Sequence, residues 1–293
     1  MSPVNSRPIS PRSEMKHNDI CRTLTLGLAA ISMAAGSAWA GEAEDLYAAM
    51  ISGKCEPAAA TLQARAKAGV AAAQGHLGIA YVRGACVKEN MQAGVAWLRK
   101  AAQQGDADSR NELGNLYSTG DGVPKDYAQA RRWFRLAAEQ GYGPAQYNLA
   151  LQYHFGEGGP VENREAVKWL RKAAVQGLAD AQANLGAMLI KGEGMVLGNK
   201  REGVHWLRKS AMQGHATGQN NLAAAYENGL GVARNMVLAY AWVLLSTREA
   251  KPGSEDMTLR AGMAGELTAK QRAESERLAR EWRVGQDLTT TMP

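Results

Sequence analysis

The sequence predicts an all-α protein, a superhelical α/α solenoid of stacked helix-turn-helix repeats, and three observations carry that expectation. Tryptophan recurs at Trp97, Trp133, Trp169, Trp206 and Trp242, spaced 36, 36, 37 and 36 residues apart. Leu77, Leu113, Leu149, Leu185 and Leu222 keep the same period, as do Gly84, Gly120, Gly156, Gly192 and Gly229, with the one added residue falling between Gly192 and Trp206. A fixed period of this length is the mark of a repeat array whose units bury their apolar faces on one another. The composition agrees: 45% hydrophobic but only 6% aromatic, with 32 glycines among 293 residues, which suits closely packed helices broken at intervals. Charged residues at 21% and ample apolar content argue against disorder.

Residues 1–40 read as a secretory leader. Lys16, His17 and Arg22 precede a short apolar run, Leu24 to Ala35, and Ala38-Trp39-Ala40 supplies the small-x-small ending of a cleavage site. The run is too short to span a bilayer core, and no later stretch is long and apolar enough to do so. Cleavage after Ala40 would start the mature chain at Gly41, with Met15 an alternative start to Met1. The expected location is therefore outside the cytoplasm, in a bacterial periplasm. Removal of the leader leaves 30 basic and 26 acidic residues, a charge of +4, which gives little ground for nucleic-acid binding.

Within the mature chain, residues 41–72 form a shortened N-terminal cap. Leu46, Met50 and Gly53 reproduce the spacing of a full unit, yet Gly53 to Gly69 is 16 residues where Gly84 to Gly105 is 21. Residues 73–248 hold five units of two helices each. In the first, Ala73, Leu77 and Tyr81 share one helical face, Gly78 permits a close backbone, and Gly84 ends the helix. The second helix places small residues (Gly94, Ala130, Ala166, Gly203, Ala239) three before the tryptophan, which is expected as the knob of each unit. Gly105, Gly141, Gly177 and Gly214 then stop it. Residues 249–284 should cap the array: Ser254 could open a helix containing Met257 and Ala261, and Thr268-x-x-Gln271 reads as a capping box opening a helix to Val284, with Leu278 and Trp282 inward. Residues 285–293 are expected to be a frayed tail.

The unit Leu113-Gly114-Asn115-Leu116-Tyr117, Gly120-Asp121-Gly122-Val123, Ala130-Arg131-Arg132-Trp133, Ala137-Ala138-Glu139-Gln140-Gly141 resembles the Sel1-like repeat, a relative of the tetratricopeptide repeat. That resemblance implies a TPR-like solenoid that scaffolds envelope or signalling complexes by holding a protein or peptide in its concave groove. It implies no cofactor.

Cys55 and Cys86, each two residues after a turn glycine, form a candidate disulfide in an oxidising compartment. The objection is spacing: repeats stack about 10 Å apart, whereas bridged Cα atoms need about 4.4–6.8 Å. The candidate peptide-binding residues on the first helices are Gln74, Asn111, Gln146, Tyr147, Asn148, Gln182, Asn184, Gln219 and Asn221. Amides donate and accept together and could hold an extended backbone, or could bond the adjacent repeat and set its register. Tyr147, His154, Phe155 and Met188 are less regular and could select one partner, although Phe155 and Met188 suit a core equally. A basic row, Arg99-Lys100, Arg135, Arg171-Lys172 and Arg208-Lys209, reads as an anion-binding face or a solvated outer surface.

The mature chain carries no Gly-x-Ser-x-Gly, His-Glu-x-x-His or Cys/His zinc spacing, and its one Ser-x-x-Lys (Ser13 to Lys16) lies in the leader. Neither catalytic nor metal-binding residues are therefore expected. Alternatives to an adaptor are an envelope protein that binds peptidoglycan or hydrolyses a β-lactam, and a periplasmic regulator of a signalling system.

Overall fold

A computed structural model describes residues 37–194, 199–249 and 255–290. Most of the expected leader, Ser254 and the last three residues of the expected tail lie outside that range. Among the described residues there are fourteen α-helices and one 3-10 turn: α1 Ser37–Ile51, α2 Ala58–Lys67, α3 Ala71–Arg83, α4 Met91–Gln103, α5 Ala107–Thr119, α6 Tyr127–Glu139, α7 Gly143–Phe155, α8 Asn163–Val175, α9 Ala179–Lys191, α10 Lys200–Met212, α11 Ala216–Asn228, α12 Met236–Ser246, α13 Glu255–Glu266, α14 Ala269–Glu281 and η1 Leu288–Thr290. Among the described residues there is no strand. The chain divides into two compact units, one ending at Ala101 and the other beginning at Ala102.

In the first unit α1, α2 and α3 pack on one another around Met50, Leu62, Ala66, Ala73 and Leu77. The cap is short because α2 has 10 residues where α4 has 13. Cys55 and Cys86 are joined, with Cα atoms 5.2 Å apart. The register of the repeats explains why this is possible. Cys86 occupies the second turn-glycine position and, like Gly158, Gly194 and Gly231, has positive φ (56°). Cys55 stands 14 residues before Gly69, as Tyr127 stands 14 before Gly141. In the second unit a Cβ added to Gly158 would lie 2.3 Å from the Tyr127 carbonyl oxygen, and Gly194 and Gly231 meet Asn163 and Lys200 at 2.4 Å. Helix axes are far apart, but each turn folds back onto the start of the preceding second helix, and the cysteines stand at that contact.

The second unit has two layers. Inner helices α5, α7, α9 and α11 alternate in sequence with outer helices α6, α8, α10 and α12, and each packs on its neighbours in sequence. Leu113, Leu149, Leu185 and Leu222 are fully buried, as are the alanine pairs Ala137-Ala138 and Ala173-Ala174. In α6, α8 and α10 the deepest knob is the residue after the tryptophan, Phe134, Leu170 and Leu207 being at most 1% exposed, whereas in α12 Trp242 itself is fully buried. The Gly114 backbone rests on the Phe134 ring, where a Cβ would come within 2.5 Å. Most of the tryptophans instead sit at the layer edge, with Lys172 4.0 Å from the Trp169 ring centre and Lys209 4.9 Å from that of Trp206. Position i+3 brings the ammonium over the indole.

At the C-terminal end α14 begins with the expected capping box, Thr268 and Gln271 exchanging side-chain and backbone bonds. Leu278 and Trp282 cover α12, the Trp282 ring meeting Trp242 edge-on at 6.1 Å. Among the described side chains of α13, Met263 is buried and Ala261 is exposed. Residues 285–290 depart from the frayed-tail expectation: the Gly285 amide donates to the Met212 carbonyl, Asp287 pairs with Arg208 at 3.0 Å, and Leu288 is buried. An apolar anchor and an ion pair fasten this segment.

Candidate functional site

The glutamines expected on a binding face have a structural role. Gln74, Gln146, Gln182 and Gln219 are all buried, and each donates its side-chain amide to a carbonyl eight residues back, at Ala66, Ala138, Ala174 and Ala211 (3.0–3.3 Å). Those carbonyls lie in the last turn of the preceding helix, where each also accepts from the amide of the glycine that stops it, Gly69, Gly141, Gly177 or Gly214, so the glutamine adds a second bond from the next helix. Arg110 does the same in its repeat, reaching the Ala102 carbonyl at 3.0 Å. A second layer extends the chain: Gln176 donates to Gln146 and to the Gly141 carbonyl, and Gln213 to Gln182 and to the Gly177 carbonyl. These amides fix register between repeats and are not available to a ligand.

The asparagines are placed differently. Asn111 is buried and accepts from Asn148 at 2.9 Å, and Asn148 also lies 3.4 Å from the Asn115 oxygen. Asn184 donates to the Tyr147 phenol at 3.1 Å. Asn148, Asn184 and Asn221 are half-buried on the inner layer. Between them α7 presents Tyr147, Leu151 and Phe155 at i, i+4 and i+8, one face of the helix. Tyr147 and Leu151 are half-buried, and Phe155 is 45% exposed. Met188 belongs to the core at 1% exposure. His154 meets the Phe155 ring edge-on and lies 2.8 Å from the Asn163 oxygen, which fixes the end of this stripe.

Two contributors escape the sequence reading. Leu151 fills a column occupied by Ile79, Asn115, Ala187 and Ala224 in the other units, so its signal is variation against a constant scaffold. Arg131 replaces Val95, Val167 and Val204 and is buried, donating to the Gln152 and Glu157 carbonyls at 3.0 Å with its guanidinium 4.6 Å from the Tyr153 ring centre. It holds the turn after α7, next to Phe155.

The basic row is largely engaged inside the molecule. Arg135 donates to the Tyr153 phenol and Arg208 to that of Tyr226, while Arg171 pairs with Glu202, whose carboxyl is held below the usual range by that hydrogen bond. A Ser-His-Asp constellation also occurs: Ser210 Oγ lies 3.2 Å from His215 Nδ1, and His215 Nε2 lies 2.9 Å from Asp180. It is a helix cap. Ser210 is fully buried with its hydroxyl donating to the Ala179 carbonyl, and the Gly218 amide donates to His215 Nδ1, so the proton sits on Nε2 facing Asp180. The hydrogen bond from His215 holds the Asp180 carboxyl below its ordinary range. Tyr142 and Asp108 form the corresponding tie two junctions earlier, at 2.7 Å; burial and the Asp108 carboxylate push the phenol far up.

Paired helices in two layers, with constant junctions and one variable inner face, define an α-solenoid repeat protein. The Sel1 repeat model matches residues 71–106, 107–142, 143–178, 179–215 and 216–248, and the chain belongs to the Sel1 repeat family. It is similar to a Sel1 repeat protein from Oxalobacter formigenes (27% identity, TM-score 0.68, covering 83% of this chain and all of that one). It is also similar to a protective antigen of uropathogenic Escherichia coli strains displaying an SLR fold (27% identity, TM-score 0.52, 83% of this chain and 60% of that one). No curated protein matches the chain. Proteins of the family are generally protein-interaction scaffolds.

Proposed function

We propose that this protein is an exported, non-catalytic adaptor of the bacterial cell envelope, whose inner helical face in the second unit holds an extended segment of a protein partner. The observation that carries the reading is the Tyr147, Leu151 and Phe155 stripe, bordered by Asn148 and Asn184. An apolar anchor beside amides able to pair with a peptide backbone is the chemistry of peptide recognition. Export is supported by the leader pattern of residues 1–40, and N-terminal sequencing of the periplasmic protein should begin at Gly41. Cell-wall hydrolysis finds no support in the buried Ser210 group.

The test is a pull-down from periplasm with the mature chain, followed by affinity measurement on the recovered partner. The F155A/N184A variant should lose at least about tenfold in affinity, since a buried aromatic anchor and its neighbouring polar contact each contribute about 1–2 kcal/mol. Undiminished binding by this variant would overturn the assignment of the inner face.

A further inference from the structure

The two layers of the second unit differ in charge. Outer helices α6, α8 and α10 carry eleven Arg and Lys against three Glu, whereas inner helices α5, α7, α9 and α11 carry two basic and four acidic residues. The mature chain as a whole is only +4, so the positive charge is gathered on one layer. Some of it is spent internally, as the Arg135, Arg171 and Arg208 contacts show. Arg132 on α6, Arg164 on α8 and Arg201 on α10 are exposed, and among the described residues no carboxylate pairs with them. Lys168, Lys172 and Lys209 are exposed beside them.

The distribution decides between kinds of anion. The unpaired arginines sit singly on three successive helices, whose axes lie about 10 Å apart. They do not converge on one point, so they form no pocket for a discrete phosphate. A two-dimensional field of separate cations instead complements a plane of headgroups. Aliphatic side chains stand among them: Val175 at the end of α8 is 71% exposed and lines a shallow groove with Arg164, Val167, Lys168 and Lys172, and Val161 before α8 is 59% exposed. Exposed valines between basic residues suit the interface of a bilayer better than an aqueous polyanion. No helix among the described residues is long and apolar enough to cross a membrane, so any contact is peripheral.

We propose that the outer face of α6, α8 and α10 docks on a bilayer rich in anionic lipid. The inner face, on the opposite layer of the same unit, would then stay open to the protein partner. The proposal stands apart from the peptide-binding reading, and its test uses different residues.

The mature protein is sedimented with vesicles rich in phosphatidylglycerol and with vesicles of phosphatidylcholine alone, at low salt and at about 0.5 M salt, where screening shortens the reach of charge to about 4 Å. Binding should require phosphatidylglycerol and fall away at high salt. The R132E/R164E/R201E variant should lose more than about tenfold in partition, since each basic residue near such a surface contributes measurably. The N148A/N184A variant should partition as wild type, and thermal melts of both variants report that they fold. Equal binding to both vesicle types, or undiminished binding by the charge-reversed variant, would overturn the proposal. So would tighter binding to double-stranded DNA or to polyglutamate than to the anionic vesicles.

Discussion

The junction between the cap and the first repeat and the junctions of the second unit make the same contact by different means. Between Gly158 and Tyr127, Gly194 and Asn163, and Gly231 and Lys200, a glycine without a side chain lies against a backbone carbonyl. Between Cys86 and Cys55 a covalent bond spans the equivalent positions. The difference follows from what supports each junction. A full repeat adds buried alanine pairs, a glutamine chain and a leucine column on both sides. The cap has a shortened second helix and one open face, so it buries less and has more to gain from a crosslink. Where packing is complete the contact needs only the absence of a Cβ.

The comparison can be broken most severely at a glycine. G158V places a branched side chain at φ 74° against the Tyr127 carbonyl, and should cost about 3 kcal/mol or more, read as a large drop in Tm or loss of folded protein. Next, reduction or C86S should cost about 2–4 kcal/mol, the range for closing a loop of this size. Hydrogen exchange should rise in α1 and α2 while α5 to α12 keep their protection; uniform loosening would contradict the division of roles. Q182A removes one link of the glutamine chain, leaving the Ala174 carbonyl and Gln213 short of a partner, and should cost about 1–3 kcal/mol in thermal unfolding. The smallest effect belongs to Asp180. Its folded-state pKa is depressed, so its contribution is present above the ordinary carboxylate pKa of about 3.9 and is lost as pH falls through the lower folded value. D180N should therefore lose at most about 1 kcal/mol at neutral pH, and the gap from wild type should close in strong acid.

Periodicity made the architecture legible because every junction repeats the same steric problem. Glycine at the turns, leucine in the column and paired alanines report backbone and packing requirements that no neighbouring residue can replace. The roles of polar residues were less legible. Gln182 and Asn184 stand two apart on one helix and both bond the previous repeat, yet the first is buried against the Ala174 carbonyl at the end of α8 and the second is half-buried beside Tyr147 on α7; residue type alone does not reveal the direction. The tryptophans marked the period correctly and Trp242 is itself fully buried, but in α6, α8 and α10 the deepest side chains are Phe134, Leu170 and Leu207 beside them. Leu288 gave no periodic signal, because its anchoring depends on a single pocket at the array's end. The Cys55–Cys86 pair was legible from its place after two turn glycines; the helix-spacing objection to it fails because turn-to-helix spacing governs the contact.

The central claim is that the variable inner face of the second unit, not its outer layer, meets the protein partner. A photocrosslinking amino acid placed at Phe155, and separately at Val175, tests it in intact cells. The account predicts one discrete protein adduct from position 155 that disappears when Asn148 and Asn184 are replaced by alanine, and no protein adduct from position 175. A protein adduct from position 175 with none from position 155 would contradict it.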